Sequence, residues 1–322
     1  MSDASISRRN ILKTAGLTAA SLVAPGALAL ESPDRLQTRK HRVLRFAHLT
    51  DIHVMAERKA AQGFEKCLEH VQSLKDPPNL IVTGGDMIMD ALNCDSGRVK
   101  GQWDIFHRVL KGNNSLPVEH CIGNHDVFGW GNCAAYKNQS LYGKKWVQDE
   151  LELVKPYRSF DRAGWHFVVL DSTHPIRGNG YCAKLDTDQF EWFVDDLAAV
   201  PSDRPVVVIS HMPIVSSCAF FHGDNERYGR WSIPSGWMHL DARRIKDVFN
   251  RHSNVKLCVS GHIHLIDRVN YCGVTYTCRG AVSAGWWSGD FQECTFGYSL
   301  FDLYSDGSFF TQYVPFGWNA AE

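Results

Sequence analysis

Val43-Leu44-Arg45-Phe46-Ala47-His48-Leu49-Thr50-Asp51-Ile52-His53 is the stretch from which the fold is read. The run from Val43 to Leu49 predicts a buried strand, and it passes without a break into Thr50, Asp51 and His53. The same arrangement recurs along the chain. Leu80 to Thr83 leads into Gly84-Gly85-Asp86, and Pro117 to Ile122 leads into Gly123-Asn124-His125-Asp126. Val206 to Ile209 leads into Ser210-His211-Met212-Pro213, and Val255 to Val259 into Ser260-Gly261-His262-Ile263-His264. Ligands of open α/β sheets bind beyond the carboxyl ends of the strands, so these five strand ends are expected to meet at one edge.

Helical patterns fill the intervals. Arg58 to Leu74 carries Ala60, Phe64, Cys67, Leu68 and Val71 on one face, and Thr187 to Ala199 carries Phe190, Trp192, Phe193 and Leu197. Trp103 to Leu110 and Ala242 to Asn250 are shorter helices, and His166 to Leu170 is a further strand. From about residue 265 the character changes to short consecutive strands at Arg268 to Tyr271, Val274 to Cys278, Tyr298 to Leu303 and Ser308 to Tyr313. The chain therefore reads as an α/β part followed by a β-rich end.

Composition narrows the function. The 322 residues are 44% hydrophobic and 21% charged, which excludes disordered and fibrous classes. The net charge of −1 lacks the basic excess that a nucleic-acid backbone demands, so no nucleic-acid partner is expected. What stands out is 15 His and 10 Cys, both metal-binding residue types. At this His content about 0.7 H-x-H pairs arise by chance, so neither that pair nor a D-x-H pair is informative alone. The order is informative: D-x-H, G-D, G-N-H-D, a lone His and G-H-x-H, each directly after an apolar run.

With those residues the chain resembles the calcineurin-like metallophosphoesterase superfamily over Leu44 to Leu265. The resemblance implies a four-layer α/β/β/α sandwich with a metal site at the C-terminal ends of the central strands. It further implies that Asp51, His53 and His264 bind one metal, that Asn124, His211 and His262 bind a second, and that Asp86 bridges them. Carboxylate and imidazole ligands suit Mn, Fe or Zn, so the expected cofactors are two divalent or trivalent transition-metal ions of that group. Hydroxide shared by the metals would attack phosphorus, with His125 as general acid and Asp126 fixing its ring. Met87-Ile88-Met89 after Asp86 departs from the purple acid phosphatases, and Asp90-Ala91-Leu92 from the protein Ser/Thr phosphatases. The resemblance is closest to the bacterial cyclic-nucleotide and glycerophosphodiester phosphodiesterases. The expected activity is hydrolysis of a small phosphodiester, with phosphomonoesterase action or non-catalytic phosphate or metal binding as alternatives.

Substrate choice is expected in three segments, Asn93 to Gln102, Phe128 to Lys145 and Ser216 to Trp237. His222, Arg227 and Arg230 of the third, with Trp286 opposite, are the candidate substrate contacts. Trp287 is a further candidate for that opposite wall.

The N-terminus reads as an address. Ser7-Arg8-Arg9-Asn10-Ile11-Leu12-Lys13, the uncharged run Thr14 to Leu30 and Ala27-Leu28-Ala29 resemble a twin-arginine export signal. Residues 1–29 are then a signal peptide and 30–322 the phosphoesterase domain. The translocation machinery becomes a partner, the location periplasmic or secreted, and no stable membrane anchor is expected because the apolar run is short. None of the cysteines has C-x-x-C spacing, which argues against structural zinc. Cys272 and Cys278, around Gly273, are a plausible disulfide, whereas Cys67 and Cys258 read as buried thiols.

Overall fold

The computed structural model describes residues 40–320. The signal peptide expected at residues 1–29 lies outside them. In chain order the elements are β1 (Arg42–Leu49), α1 (Ala60–Ser73), β2 (Leu80–Thr83), α2 (Ser96–Asn113), β3 (Val118–His120), α3 (Cys133–Tyr136), α4 (Lys145–Glu150), β4 (Arg158–Arg162), β5 (Trp165–Leu170), β6 (Thr173–Pro175), β7 (Tyr181–Ala183), α5 (Thr187–Ala199) and β8 (Val206–Ser210). Then follow β9 (Glu226–Arg227), β10 (Arg230–Trp231), α6 (Ala242–Phe249), β11 (Val255–Ser260), β12 (Val269–Tyr271), β13 (Val274–Cys278), β14 (Gly297–Tyr304) and β15 (Phe309–Pro315).

Two sheets carry the fold, one ordered β15-β14-β1-β2-β3 and the other β12-β13-β11-β8-β5-β4. Strands β1, β2 and β3 are parallel, as are β5, β8, β11 and β13. Alternation within the strands builds the layers. Leu44 and Phe46 of β1 meet Phe167, Val207, Ile209, Leu257 and Val259 of the other sheet, forming the interior of the sandwich. Phe46 stacks on Phe301 at 4.7 Å and meets Phe167 edge-on at 5.9 Å across the two sheets. The opposite faces bury helices. Ala47 and Leu49 pack with Phe64, Cys67 and Leu68 of α1 and with Trp103 and Phe106 of α2. Val168, Val206 and Val208 pack with Phe193 and Leu197 of α5 and Ile245 and Val248 of α6. The result is the four-layer α/β/β/α sandwich.

The β-rich end is not a separate layer, since β14 and β15 extend the first sheet while β12 and β13 extend the second. Helix α2 begins well before Trp103, because Asp95 caps it by accepting the N–H of Arg98 at 3.0 Å. Most of Asn93 to Gln102 is therefore helix rather than an inserted wall. Among the described residues no helix is long and apolar enough to cross a membrane.

All ten cysteines are free thiols. The Cys272–Cys278 pairing is corrected by the hairpin they belong to. Tyr271 pairs with Val274, so Cys272 and Gly273, both with positive φ, form the exposed turn. Cys278 lies at the other end of β13 and is buried. Cys67 and Cys258 are buried thiols, as expected.

Candidate metal centre

Parallel register brings the strand ends together: Leu49 is level with Thr83 in one sheet, and Ile209 with Val259 in the other. His211 then crosses between the sheets, its Nδ1 on the Gly84 carbonyl oxygen at 2.8 Å. A proton held there leaves the Nε2 lone pair directed inward. His264 is fixed in the same way, with Nδ1 on the Ala284 carbonyl oxygen at 2.5 Å.

The inward atoms form two adjoining sets. In the first, His53 Nε2 is 3.2 Å from His264 Nε2, and Asp51 Oδ1 is 3.3 Å from His264 Nε2 and 3.9 Å from His53 Nε2. In the second, His211 Nε2 is 3.2 Å from both Asp86 Oδ2 and His262 Nδ1, and 3.1 Å from Asn124 Oδ1. Asp86 Oδ2 also lies 3.7 Å from His53 Nε2 and so faces both sets. These are the groupings read from the sequence.

The donor set fits two transition-metal ions. His211 and His264, each held at Nδ1 by a carbonyl, turn Nε2 toward a second ring nitrogen, that of His262 and of His53 respectively, and Asp51 Oδ1 is buried with no hydrogen-bond donor among the described residues. A shared cation satisfies all of them. Burial alone would raise the Asp51 and Asp86 carboxyls, but His264 holds Asp51, and His211 holds Asp86, below the usual range. Burial lowers His53 well below its ordinary value and His262 to about 3, which favours the neutral rings that bind metal. For His211 burial is outweighed by Asp86, and the ring is lifted to about 9.

The backbone at the centre is strained. Asp51 (φ 54), His53 (φ 48), Asp86 (φ 53), His262 (φ 69) and His264 (φ 61) all occupy the left-handed region that L-residues avoid. Surrounding bonds hold several of these turns, as Asp51 N donates to the Gly85 carbonyl, His53 N to the Asp86 carbonyl and His262 N to Asp51 Oδ2. Close approach explains two glycines. A Cβ at Gly123 would lie 2.2 Å from Asp86 N, and one at Gly261 would lie 1.9 Å from Thr50 Oγ1.

His125 stands beside the centre, its ring 4.9 Å from that of His53, while its backbone N–H donates to Asp86 Oδ1 at 2.8 Å. Its Nδ1 is buried without a partner among the described residues. Asp126 therefore does not orient the ring, and that expectation is corrected. The Asp126 side chain turns instead to the backbone N–H groups of Asp86, Met87, Ile88 and Gly123. Burial and Asp86 push its carboxyl up to about 7, against the opposing pull of those donors.

The expected substrate contacts divide. Trp286 lies against His264, with ring centroids 4.4 Å apart, and 6.1 Å from His53. Trp287, by contrast, is buried and donates through Nε1 to the Ile52 carbonyl. His222 is one ring further out, against Trp237 and Phe291, and Phe291 packs on His264. Arg227 and Arg230 are not brought to the centre. They sit exposed on the β9–β10 hairpin, where two-residue strands pair with each other and with neither main sheet. Phe128 and Trp130 at the start of Phe128 to Lys145 lie in the core with residues of α2, whereas Asn132, Ala134, Ala135 and Lys137 to Ser140 are exposed. Cys94 and Arg98 line a cleft of about 350 Å³ with Met55 and Met89, in segments that follow His53 and Asp86.

Two residues of the surroundings were not legible. Thr50 Oγ1 donates to Asp51 Oδ2 at 2.6 Å, and its only signal was adjacency to Asp51. Tyr181 of β7 meets His262 edge-on at 6.4 Å, from a segment with no motif at all.

A two-sheet sandwich with such a centre at its joint strand ends has the metallophosphoesterase fold. Within that class the chain belongs to the calcineurin-like phosphoesterase family, whose model matches residues 44–265. It is similar to a Nostoc sp. protein named as a 3',5'-cyclic-nucleotide phosphodiesterase, at 25% identity over 284 residues, 83% of this chain and 90% of that one. It is also similar to an Arcobacter nitrofigilis protein named "probable glycerophosphodiester phosphodiesterase", at 21% identity over 225 residues, 68% and 71% of the two chains. Among solved structures, a dimetal phosphatase from Danio rerio shares the fold with a TM-score of 0.58 at 15% identity, covering 86% of this chain and 97% of that one.

Proposed function

We propose that this protein is an exported phosphodiesterase acting on a small phosphodiester, with two transition-metal ions drawn from Mn, Fe and Zn. The observation that carries the reading is the position of Asp86 Oδ2 between His211 Nε2 and His53 Nε2, one carboxylate oxygen serving two ligand sets. The phosphodiesterase names of the two relatives support the choice of ester.

Asp51, His53 and His264 would hold one ion, Asn124, His211 and His262 the other, and Asp86 both. Ions so held supply positive charge against the phosphoryl oxygens and lower the pKa of water to make a nucleophile. The protein's own part is positional. The carbonyls of Gly84 and Ala284 fix the rings of His211 and His264, and the strained strand-end turns keep the carboxylates in register. His125 gives a proton to the departing alkoxide oxygen. With Nδ1 buried, Nε2 is the nitrogen that delivers it. Trp286 forms a flat apolar wall beside His264 against which a base or an ester substituent packs.

The deciding experiment compares bis(p-nitrophenyl) phosphate with p-nitrophenyl phosphate after reconstitution with Mn, Fe or Zn. Faster turnover of the diester is expected, faster turnover of the monoester would make the protein a phosphatase, and turnover of neither would leave a binding protein. Export rests on Arg8, Arg9 and Ala27-Leu28-Ala29. Precursor carrying Arg8→Lys with Arg9→Lys should remain in the cytoplasm, and its normal translocation would overturn that part.

A further inference from the structure

The segment from Ser216 to Trp237 is tied to the second sheet at a single carboxylate. Asp267 Oδ2 accepts from Ser216 Oγ at 2.9 Å, Ser217 N at 2.6 Å, Ser217 Oγ at 3.0 Å and Cys218 N at 3.0 Å. Asp267 Oδ1 accepts from Cys278 N, at the end of β13, at 2.9 Å. Two cysteine amides thus bond to the two oxygens of one side chain, which confines their backbones to neighbouring positions. Their side chains enter the same small apolar cluster, with Ala219, Ile263, Leu265 and Cys294. Within that cluster the Cys218 and Cys278 side chains are close enough to act on one another electrostatically. Cys278 Sγ also donates to the Gly261 carbonyl at 3.0 Å, one residue before His262.

These thiols do not form a metal site. Among the described residues, the groups of His, Cys, Asp and Glu able to surround an ion all belong to the centre already described, and none includes a cysteine. Two buried thiols in one cluster, on elements far apart in sequence, have a different chemistry open to them.

We propose that Cys218 and Cys278 form a disulfide that locks the Ser216 to Trp237 segment onto β13. With oxidised glutathione as oxidant, one thiolate attacks the glutathione disulfide, forming a mixed disulfide and releasing one glutathione. The second protein thiolate attacks the protein sulfur of that mixed disulfide and releases the other. One S–S bond forms in the protein, one is broken in the oxidant, and the two thiol protons end on two glutathione molecules. Burial pushes the Cys278 thiol up, so exchange in the closed protein is slow and runs through states in which the segment has lifted. The lock acts on the wall of the centre, because this segment carries His222 and Trp237, which reach His264 through Phe291. Cys294 remains the free third thiol.

The test is chemical and independent of catalysis. Full-length protein is equilibrated with glutathione redox buffers, both as purified and during refolding from urea, then acid-quenched, alkylated and mapped by mass spectrometry without reduction. A peptide joining Cys218 to Cys278, with Cys294 alkylated, is expected. Cys294→Ser should retain that link, and Cys278→Ser should leave Cys218 open to alkylation. Proteolytic cleavage within residues 221–231 should slow by about tenfold on oxidation and recover with dithiothreitol. Alkylation of both thiols in both arms, or a Cys218–Cys294 link in wild type, would overturn the proposal.

Discussion

Asp126 holds Asp86 through the backbone. Its Oδ2 accepts the N–H of Asp86 at 2.9 Å and of Gly123 at 2.8 Å, and its Oδ1 accepts those of Met87 at 2.8 Å and Ile88 at 3.3 Å. An asparagine has one acceptor oxygen and would turn an amide N–H₂ toward one of these donor pairs. Asp126→Asn should therefore cost about 2–4 kcal/mol of stability and loosen the turn that presents Asp86. Calorimetry and elemental analysis should show a lower melting temperature and less bound metal, with rates falling equally for good and poor leaving groups. A loss confined to poor leaving groups would return Asp126 to the role of orienting His125.

His125→Ala separates acid catalysis from metal binding. The contact from this residue to Asp86 is made by its backbone N–H, which alanine keeps. Metal content should be unchanged, while the rate on alkyl esters should fall about 10²- to 10⁴-fold and that on p-nitrophenyl esters far less. The ring does lie within reach of His53 and Asp86 as a possible ligand. Loss of metal from the alanine variant would show that ligation, not proton transfer, is its part. Asp86→Asn is the contrast, with metal and all activity expected to disappear together.

Of the expected substrate contacts, Trp286 is the one whose ring packs against the imidazoles of proposed ligands. Trp286→Ala should raise KM roughly tenfold for substrates with an aromatic or base substituent, about the worth of one stacking contact. The double variant Arg227→Ala with Arg230→Ala should leave KM unchanged, since both side chains are exposed on their own hairpin. An increase of KM in the double variant would mean that the hairpin folds over bound substrate.

What the sequence disclosed follows from where hydrophobic runs are continuous. Strands β2 and β8 are buried throughout and read as unbroken apolar segments, and β1 and β11 are mostly buried, interrupted at Arg45 and Lys256; each is followed by polar residues of the centre. Strand β4, Arg158-Ser159-Phe160-Asp161-Arg162, lies at a sheet edge with polar side chains and offered no such run. The first turns of α2 were hidden because Ser96 to Gly101 bury only Val99. Asp126 was misassigned because it follows His125 in sequence, yet the two side chains diverge, one toward His53 and the other into the turn of Asp86. The hairpin at Gly273 was legible, but the carboxylate that sets Cys278 beside Cys218 comes from Asp267, which no local spacing reveals.

Away from the centre, His166 makes stability depend on pH. Its Nδ1 faces Asp161 at 2.7 Å on β4 and its Nε2 faces Asp196 at 3.0 Å on α5, so both bonds are satisfied only by the imidazolium. Burial would lower its pKa, but the hydrogen bonds it donates to Asp196 and Asp161 outweigh it and the value rises above 6.5. Because the folded pKa is raised, the stabilisation is complete below the unfolded value of about 6.5 and is lost as pH climbs through the folded one. His166→Gln should therefore cost about 1–2 kcal/mol near pH 5.5, a range kept low because Asp161 is half exposed. The gap in melting temperature between wild type and variant should narrow steadily toward pH 9. Comparing the two proteins at each pH cancels the titration of the remaining groups, so a gap that is constant or widens with pH would show that His166 is held neutral.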